Sequence, residues 1–211
     1  MQIGKYFAAL ALAQCAVPLG WAVKAGEAVP DVALRDCSGA PVRLSAYREQ
    51  KSVIILAEGP GAKLAPALLN DACRVLAPLD TVVLVLAADA AENQRPLEVA
   101  PPATLLVDSS GVLRRVLPGR ALTGPDLAGF VKHWQFGKTV FHATCARCHG
   151  DDGDLHICED VKPLAGIGRR LTEAQIREKL RMAEVNDEFV IRGEFFTRQE
   201  VEAVIAYVAG L

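Results

Sequence analysis

Apolar positions in the first two thirds of the chain fall into short runs separated by turn residues. Val32-Ala33-Leu34 and Val42-Arg43-Leu44 flank Ser38-Gly39 and predict two short strands joined by a turn. Ser52–Ala57 is a continuous apolar run rich in β-branched residues, the pattern of a strand buried on both faces. Gly59-Pro60-Gly61 breaks it, and residues 63–76 read as a helix. Residues 81–87 form a second buried run. Pro101-Pro102 precedes a third, Ala103–Val107, which Ser109-Ser110-Gly111 turns into residues 112–116. Thr123 with Pro125 supplies an N-cap and a first turn, leading residues 126–134 into a helix. Buried strands alternating with helices and closed by a hairpin predict a small α/β sheet domain over residues 26–134. Further on, Thr172-Glu173-Ala174-Gln175 and Thr197-Arg198-Gln199-Glu200 are capping boxes. The first opens a middle helix running to about Met182, the second a last helix.

The first 25 residues differ from the rest. Lys5 gives a short positive start, and Tyr6 to Ala22 then run without a charge, with small residues at Ala22 and Ala25. That length and those small residues predict a cleaved export signal over residues 1–25, and so a periplasmic protein. The alternatives are an uncleaved anchor, which alone would bring the membrane into play, a lipoprotein-type site around Leu12-Ala13-Gln14-Cys15, and a buried helix of a cytosolic protein. Just over half of the 211 residues are apolar, with a formal charge of −2, and no basic stretch is interleaved with aromatics. Nucleic acid is therefore excluded as a partner.

The sequence holds six cysteines. Two of them, in Cys145-Ala146-Arg147-Cys148-His149, have the C-x-x-C-H spacing. Two thiols so placed add to the two vinyl groups of one porphyrin, and the adjacent His then lies beneath the iron as its ligand. The competing readings are a redox-active cysteine pair and half of a zinc site. A zinc site wants a second ligand pair, and only His156 and Cys158 are near. The expected cofactor is therefore one covalent haem c on Cys145, Cys148 and His149. Cys37, Cys73 and Cys158 remain in an oxidising compartment. Cys73 falls inside the predicted helix and reads as a small packing residue, though Cys37 is a possible disulfide partner for it.

Residues 25–48, with Gly26-Glu27-Ala28-Val29-Pro30-Asp31 and Gly39-Ala40-Pro41-Val42-Arg43-Leu44-Ser45, resemble the opening of redoxin domains, the thioredoxin-fold family of peroxiredoxins and exported thiol–disulfide oxidoreductases. Pro102-Ala103-Thr104-Leu105-Leu106-Val107-Asp108, followed by Gly111, is similar to that family's strand after its cis-proline, which points to Pro102 as cis. The family's reactive cysteines lie just after the first buried strand. Here Ala57-Glu58-Gly59-Pro60-Gly61-Ala62-Lys63 stands in their place, with no Cys. The resemblance thus implies a redoxin fold without redoxin chemistry, serving for docking, positioning or support.

Residues 137–211 resemble class I cytochromes c, which implies an all-α domain. Gly137 and Phe141 match that family's first helix and residues 200–209 its last, with Gly137 permitting a close crossing and Phe141 meeting an aromatic such as Tyr207. By the same resemblance Pro163, in Lys162-Pro163-Leu164-Ala165-Gly166, offers its carbonyl to the ring N–H of His149. The family's sixth iron ligand is a Met in a loop before the last helix. The corresponding residues 186–193 contain no Met. Met182 is the leading candidate and His156 the runner-up, while Cys158, the outward-facing His142, the distant His133 and an open position remain. Their bland readings are a core residue packing beside Ile176 and Leu180 for Met182, and a solvent-facing loop histidine for His156. The function expected is a periplasmic electron carrier, or the haem subunit of an oxidoreductase, serving redox protein partners such as a periplasmic dehydrogenase or oxidase. The alternatives are a haem enzyme or small-molecule sensor with an open or displaceable ligand, and a haem-linked thiol–disulfide oxidoreductase.

Overall fold

A computed structural model describes residues 23–58, 64–87, 102–118, 122–155, 162–180, 182–185 and 188–211. The predicted leader up to residue 22, the break at Gly59-Pro60-Gly61, and His156 and Cys158 lie outside the described residues.

The N-terminal half is a six-stranded sheet in the order β2-β1-β4-β3-β5-β6. Its strands are β1 (Ala33–Arg35), β2 (Pro41–Arg43), β3 (Ser52–Ala57), β4 (Thr81–Leu86), β5 (Ala103–Val107) and β6 (Leu113–Pro118). β3 and β4 are parallel, connected through helix α1 (Pro66–Leu76), whereas β5 pairs antiparallel with both β3 and β6. A parallel pair crossed over by one helix and followed by an antiparallel hairpin is the thioredoxin-like arrangement expected from the sequence. Side chains alternate across β3. Ile54 and Leu56 join the core beneath the helices, and Val53, Ile55 and Ala57 join a second core closed by Val29, Val32, Leu34 and Leu44.

Cys37, in the turn after β1, is disulfide-bonded to Cys73 of α1. The reading of Cys73 as a mere packing residue is corrected: the turn brings the two Cα atoms within 6.4 Å, inside the range a disulfide spans. The bond closes a sequence separation of 36 residues and ties the N-terminal hairpin to the helix layer. Removing it by Cys37→Ser is expected to destabilise the fold by about 2–4 kcal/mol, read as a lower denaturant midpoint.

The helix expected over 126–134 is longer. α2 runs Gly124–Val140, started by the predicted Thr123 cap, which forms a capping box with Asp126. It continues through a π-helical turn, Phe141–Cys145, into the short helix α3, Ala146–His149. One apolar stripe, Leu127, Val131, Trp134, Gly137 and Phe141, runs the length of α2 at steps of three and four residues. Its first part packs on α1 and the sheet, and its last part on the final helix. Residues 134–137, where the two resemblances read from the sequence meet, thus lie inside one helix shared by both halves.

The C-terminal half adds α4 (Glu173–Lys179) and α5 (Arg198–Val208), each opened by the capping box read from the sequence, at Thr172 and Thr197. α4 ends short of Met182. The all-α expectation is corrected by a three-stranded antiparallel sheet of β7 (Ala183–Val185), β8 (Glu188–Ile191) and β9 (Glu194–Phe196). Arg192 and Gly193, with φ of 52° and 88°, form the two-residue turn between β8 and β9. Left-handed backbone at both turn positions is what a tight hairpin requires. The cross-strand pair Phe189 and Phe196 buries both rings in the core, and the Arg198 guanidinium lies 5.3 Å from the Phe189 centroid. Among the described residues no helix is long and apolar enough to cross a membrane.

Candidate haem-attachment site

Cys145 closes the π-helical turn, and Cys148 and His149 end α3. Gly150, at φ 74°, stops the helix immediately after His149, and its amide bonds the Ala146 carbonyl at 2.8 Å. A side chain at Gly150 would meet Leu155 Cβ at 2.9 Å. The chain then folds back on itself. The Leu155 amide donates to the His149 carbonyl at 2.9 Å, and the Gly153 carbonyl accepts from the amides of Leu164 and Ala165 at 2.6 and 3.0 Å. That return brings the Lys162-Pro163 segment against His149.

Nδ1 of His149 is sealed from solvent and has no hydrogen-bond partner. The backbone that faces the ring belongs to Lys162, one residue before the Pro163 expected there. Burial holds the imidazole below its ordinary pKa, with the Arg192 charge acting in the same direction and the Lys162 backbone against it. The neutral ring, the form that ligates a metal, is thereby favoured.

Cys145 and Cys148 are both half-buried free thiols. Burial pushes the Cys145 thiol up, while Thr144 Oγ1, 3.4 Å from its sulfur, pulls weakly the other way. A redox-active pair wants the opposite, a stabilised thiolate. Two free thiols and a half-buried imidazole on adjacent turns fit covalent haem. Ala146, Leu164, Ile167, Leu180 and Ile191 are apolar and partly buried against the main core. Among the described residues no group of three or more metal-ligating side chains gathers.

Helices α2 and α5 are held as the resemblance implied. A side chain on Gly137 would run into the Ala203 carbonyl, so only glycine lets α2 and α5 cross here. Phe141 meets Tyr207 with ring centroids 5.2 Å apart, and Trp134 meets the same ring from the other side, also at 5.2 Å. Burial pushes the Tyr207 phenol up to about 12.

Met182 lies between α4 and β7, half-buried against the main core. That is its packing reading, and ligation would be an additional role. His142 is exposed, with Nδ1 3.0 Å from Asp151 Oδ1. His133 lies within α2. Sequence reasoning missed the β8–β9 hairpin beside the motif: Glu194 ion-pairs with Arg147, the residue between the two cysteines. It also missed the seam between the halves. There Asp108 Oδ2 accepts from Arg114 Nε at 2.6 Å, and Arg114 Nη1 reaches the Gly210 carbonyl at 3.2 Å. No local pattern signals such long-range pairs.

Residues 135–211 match the family model described as cytochrome c. Similar solved structures include a reduced 2-Cys peroxiredoxin of Plasmodium vivax, at TM-score 0.46 and 10% identity over 57% of this chain and 84% of that one. Another is the thioredoxin domain of a thiol-disulfide oxidoreductase from Bacteroides vulgatus, at TM-score 0.37 and 18% identity over 53% and 97%. A comparison with curated protein sequences found no match.

Proposed function

We propose that this chain, whose residues 135–211 form a cytochrome c domain, is an exported electron-transfer protein carrying one covalent haem c on Cys145, Cys148 and His149. The observation that carries the reading is the motif itself: two unpaired thiols and a half-buried imidazole with a sealed Nδ1, on consecutive turns at a helix end. Bound there, haem supplies a one-electron Fe(III)/Fe(II) couple. The two cysteines fix its edge covalently. His149 would hold the iron through a ring nitrogen, its imidazole being kept below its ordinary pKa by burial. The helix α2 leads into the motif and is packed on α5 at the Gly137 crossing. The partners are redox proteins, such as a periplasmic dehydrogenase or oxidase. The redoxin-like half lacks cysteines at its family's reactive position and serves as support.

Met182 is the proposed sixth ligand and His156 the runner-up. A second reading, an open or displaceable sixth position suited to small-molecule binding, draws on two observations: Met182 packs on the core, and a hairpin replaces the methionine loop. Absorption spectra of the oxidised and reduced holoprotein separate the two. With Met182 as ligand, the wild type is low-spin with a thioether–iron band that Met182→Ala abolishes. A high-spin wild type, or a band that survives the substitution, removes Met182 from the ligand set.

A further inference from the structure

Only two large apolar side chains stand exposed among the described residues, Phe195 at 65% and Leu155 at 45%. Isolated exposed apolar residues are ordinary, but both of these are tied to the same short helix. The amide of Leu155 bonds the carbonyl of His149, and Glu194, next to Phe195, pairs with Arg147 between the two cysteines. Strand alternation forces the outward position of Phe195: Phe196 is buried, so its neighbour must face solvent on β9, the edge strand of its sheet. At the hairpin tip Arg192 adopts φ 52°, a conformation that non-glycine residues seldom adopt. Arg147, Arg169 and Arg177 are each neutralised by a glutamate. Arg192 is exposed and has no ion pair among the described residues.

We propose that the β8–β9 hairpin is the electron-exchange face, with Phe195 as its apolar anchor and Arg192 as its free cation. Its partner is a one-electron redox protein that presents a carboxylate beside an apolar patch. This rests on the proposed haem function and deepens it. It also runs against net charge: from residue 137 onward, 10 Lys and Arg against 13 Asp and Glu give −3, which alone would favour a basic partner. The local arrangement decides instead, because screening confines charge effects to about a Debye length, ~10 Å. Each encounter passes one electron, Fe(II) being oxidised to Fe(III) as the partner's centre is reduced, with no bond made or broken.

The test uses the reduced holoprotein and three oxidants: anionic ferricyanide, cationic tris(phenanthroline)cobalt(III), and a blue-copper protein with an acidic patch. Asn tolerates positive φ, so Arg192→Asn removes the charge without straining the turn, and Arg192→Lys keeps it. Arg192→Asn is expected to slow ferricyanide by about fourfold and to speed the cobalt complex similarly, with Arg192→Lys close to wild type. Phe195→Thr should slow the copper protein several-fold and leave ferricyanide unchanged. Small-ion rates that ignore Arg192 would overturn the assignment. So would a loss in Arg192→Asn that Lys does not restore, or a Phe195→Thr variant whose haem spectrum or potential shifts, which would make Phe195 a haem-packing residue. Wild-type protein that acquires no covalent haem would count against the proposed function and is read separately from these rates.

Discussion

His149→Ala, expressed alongside haem-attachment machinery, should yield protein whose low-spin spectrum is lost and whose haem content falls by roughly tenfold or more. The expectation follows from how much of the local structure serves that one ring. α3 stops at His149 because Gly150 turns left-handed, and a side chain at Gly150 would collide with Leu155. The turn back through Gly153 sets the Lys162 backbone against the imidazole. Burial holds the imidazole below its ordinary pKa, which favours the neutral ring, the form that ligates a metal. Alanine removes the donor and leaves the two thiols untouched. Added imidazole should then restore the low-spin spectrum of whatever haem is attached. A variant with wild-type spectrum and haem content would mean that another side chain supplies the axial base.

Asp108→Ala should cost about 3–5 kcal/mol and unfold both halves together. Asp108 and Arg114 lie at the β5–β6 turn with side chains only 9% and 11% exposed. The carboxylate accepts from the Arg114 guanidinium at 2.6 Å and from the Val112 amide at 3.0 Å. Arg114 in turn holds the Gly210 carbonyl just beyond α5. Truncating Asp108 leaves a buried guanidinium without its counter-charge, which is far more costly than losing a surface pair. Because the sheet and the cytochrome helices share α2 and one continuous apolar core, the loss should appear as a single cooperative transition by both far-ultraviolet dichroism and haem absorbance. Two separated transitions would show that the halves are independent units joined only by chain.

The strands and the capped helices were legible because local signals decide them. β3, β4 and β5 are runs of buried apolar residues whose period and flanks leave little choice. Thr123, Thr172 and Thr197 cap their helices through residues three positions on. The Cys145-Ala146-Arg147-Cys148-His149 motif is readable without any structure because its five residues are consecutive. What sequence reading lost depends on partners far along the chain. The apolar stripe of α2 continues past Trp134 without interruption, but the two resemblances, each ending near that residue, invited a division the helix does not make. The β7–β9 sheet was missed because the methionine loop of the cytochrome family was sought in residues 186–193, while Phe189, Phe196 and the Arg192-Gly193 turn were signalling a hairpin. Pro163 was one residue off, since the backbone facing His149 is set by the Gly153 turn rather than by any local preference. The Cys37–Cys73 bond and the Asp108–Arg114 pair show themselves only once the sheet has assembled.

The intact mass of the denatured wild-type protein, produced with haem-attachment machinery, tests the central claim most directly. The account predicts a polypeptide heavier by one haem group, with the added mass absent when Cys145 and Cys148 are both replaced by Ser. A wild-type mass equal to that of the polypeptide alone, under conditions that load a control cytochrome, would contradict it.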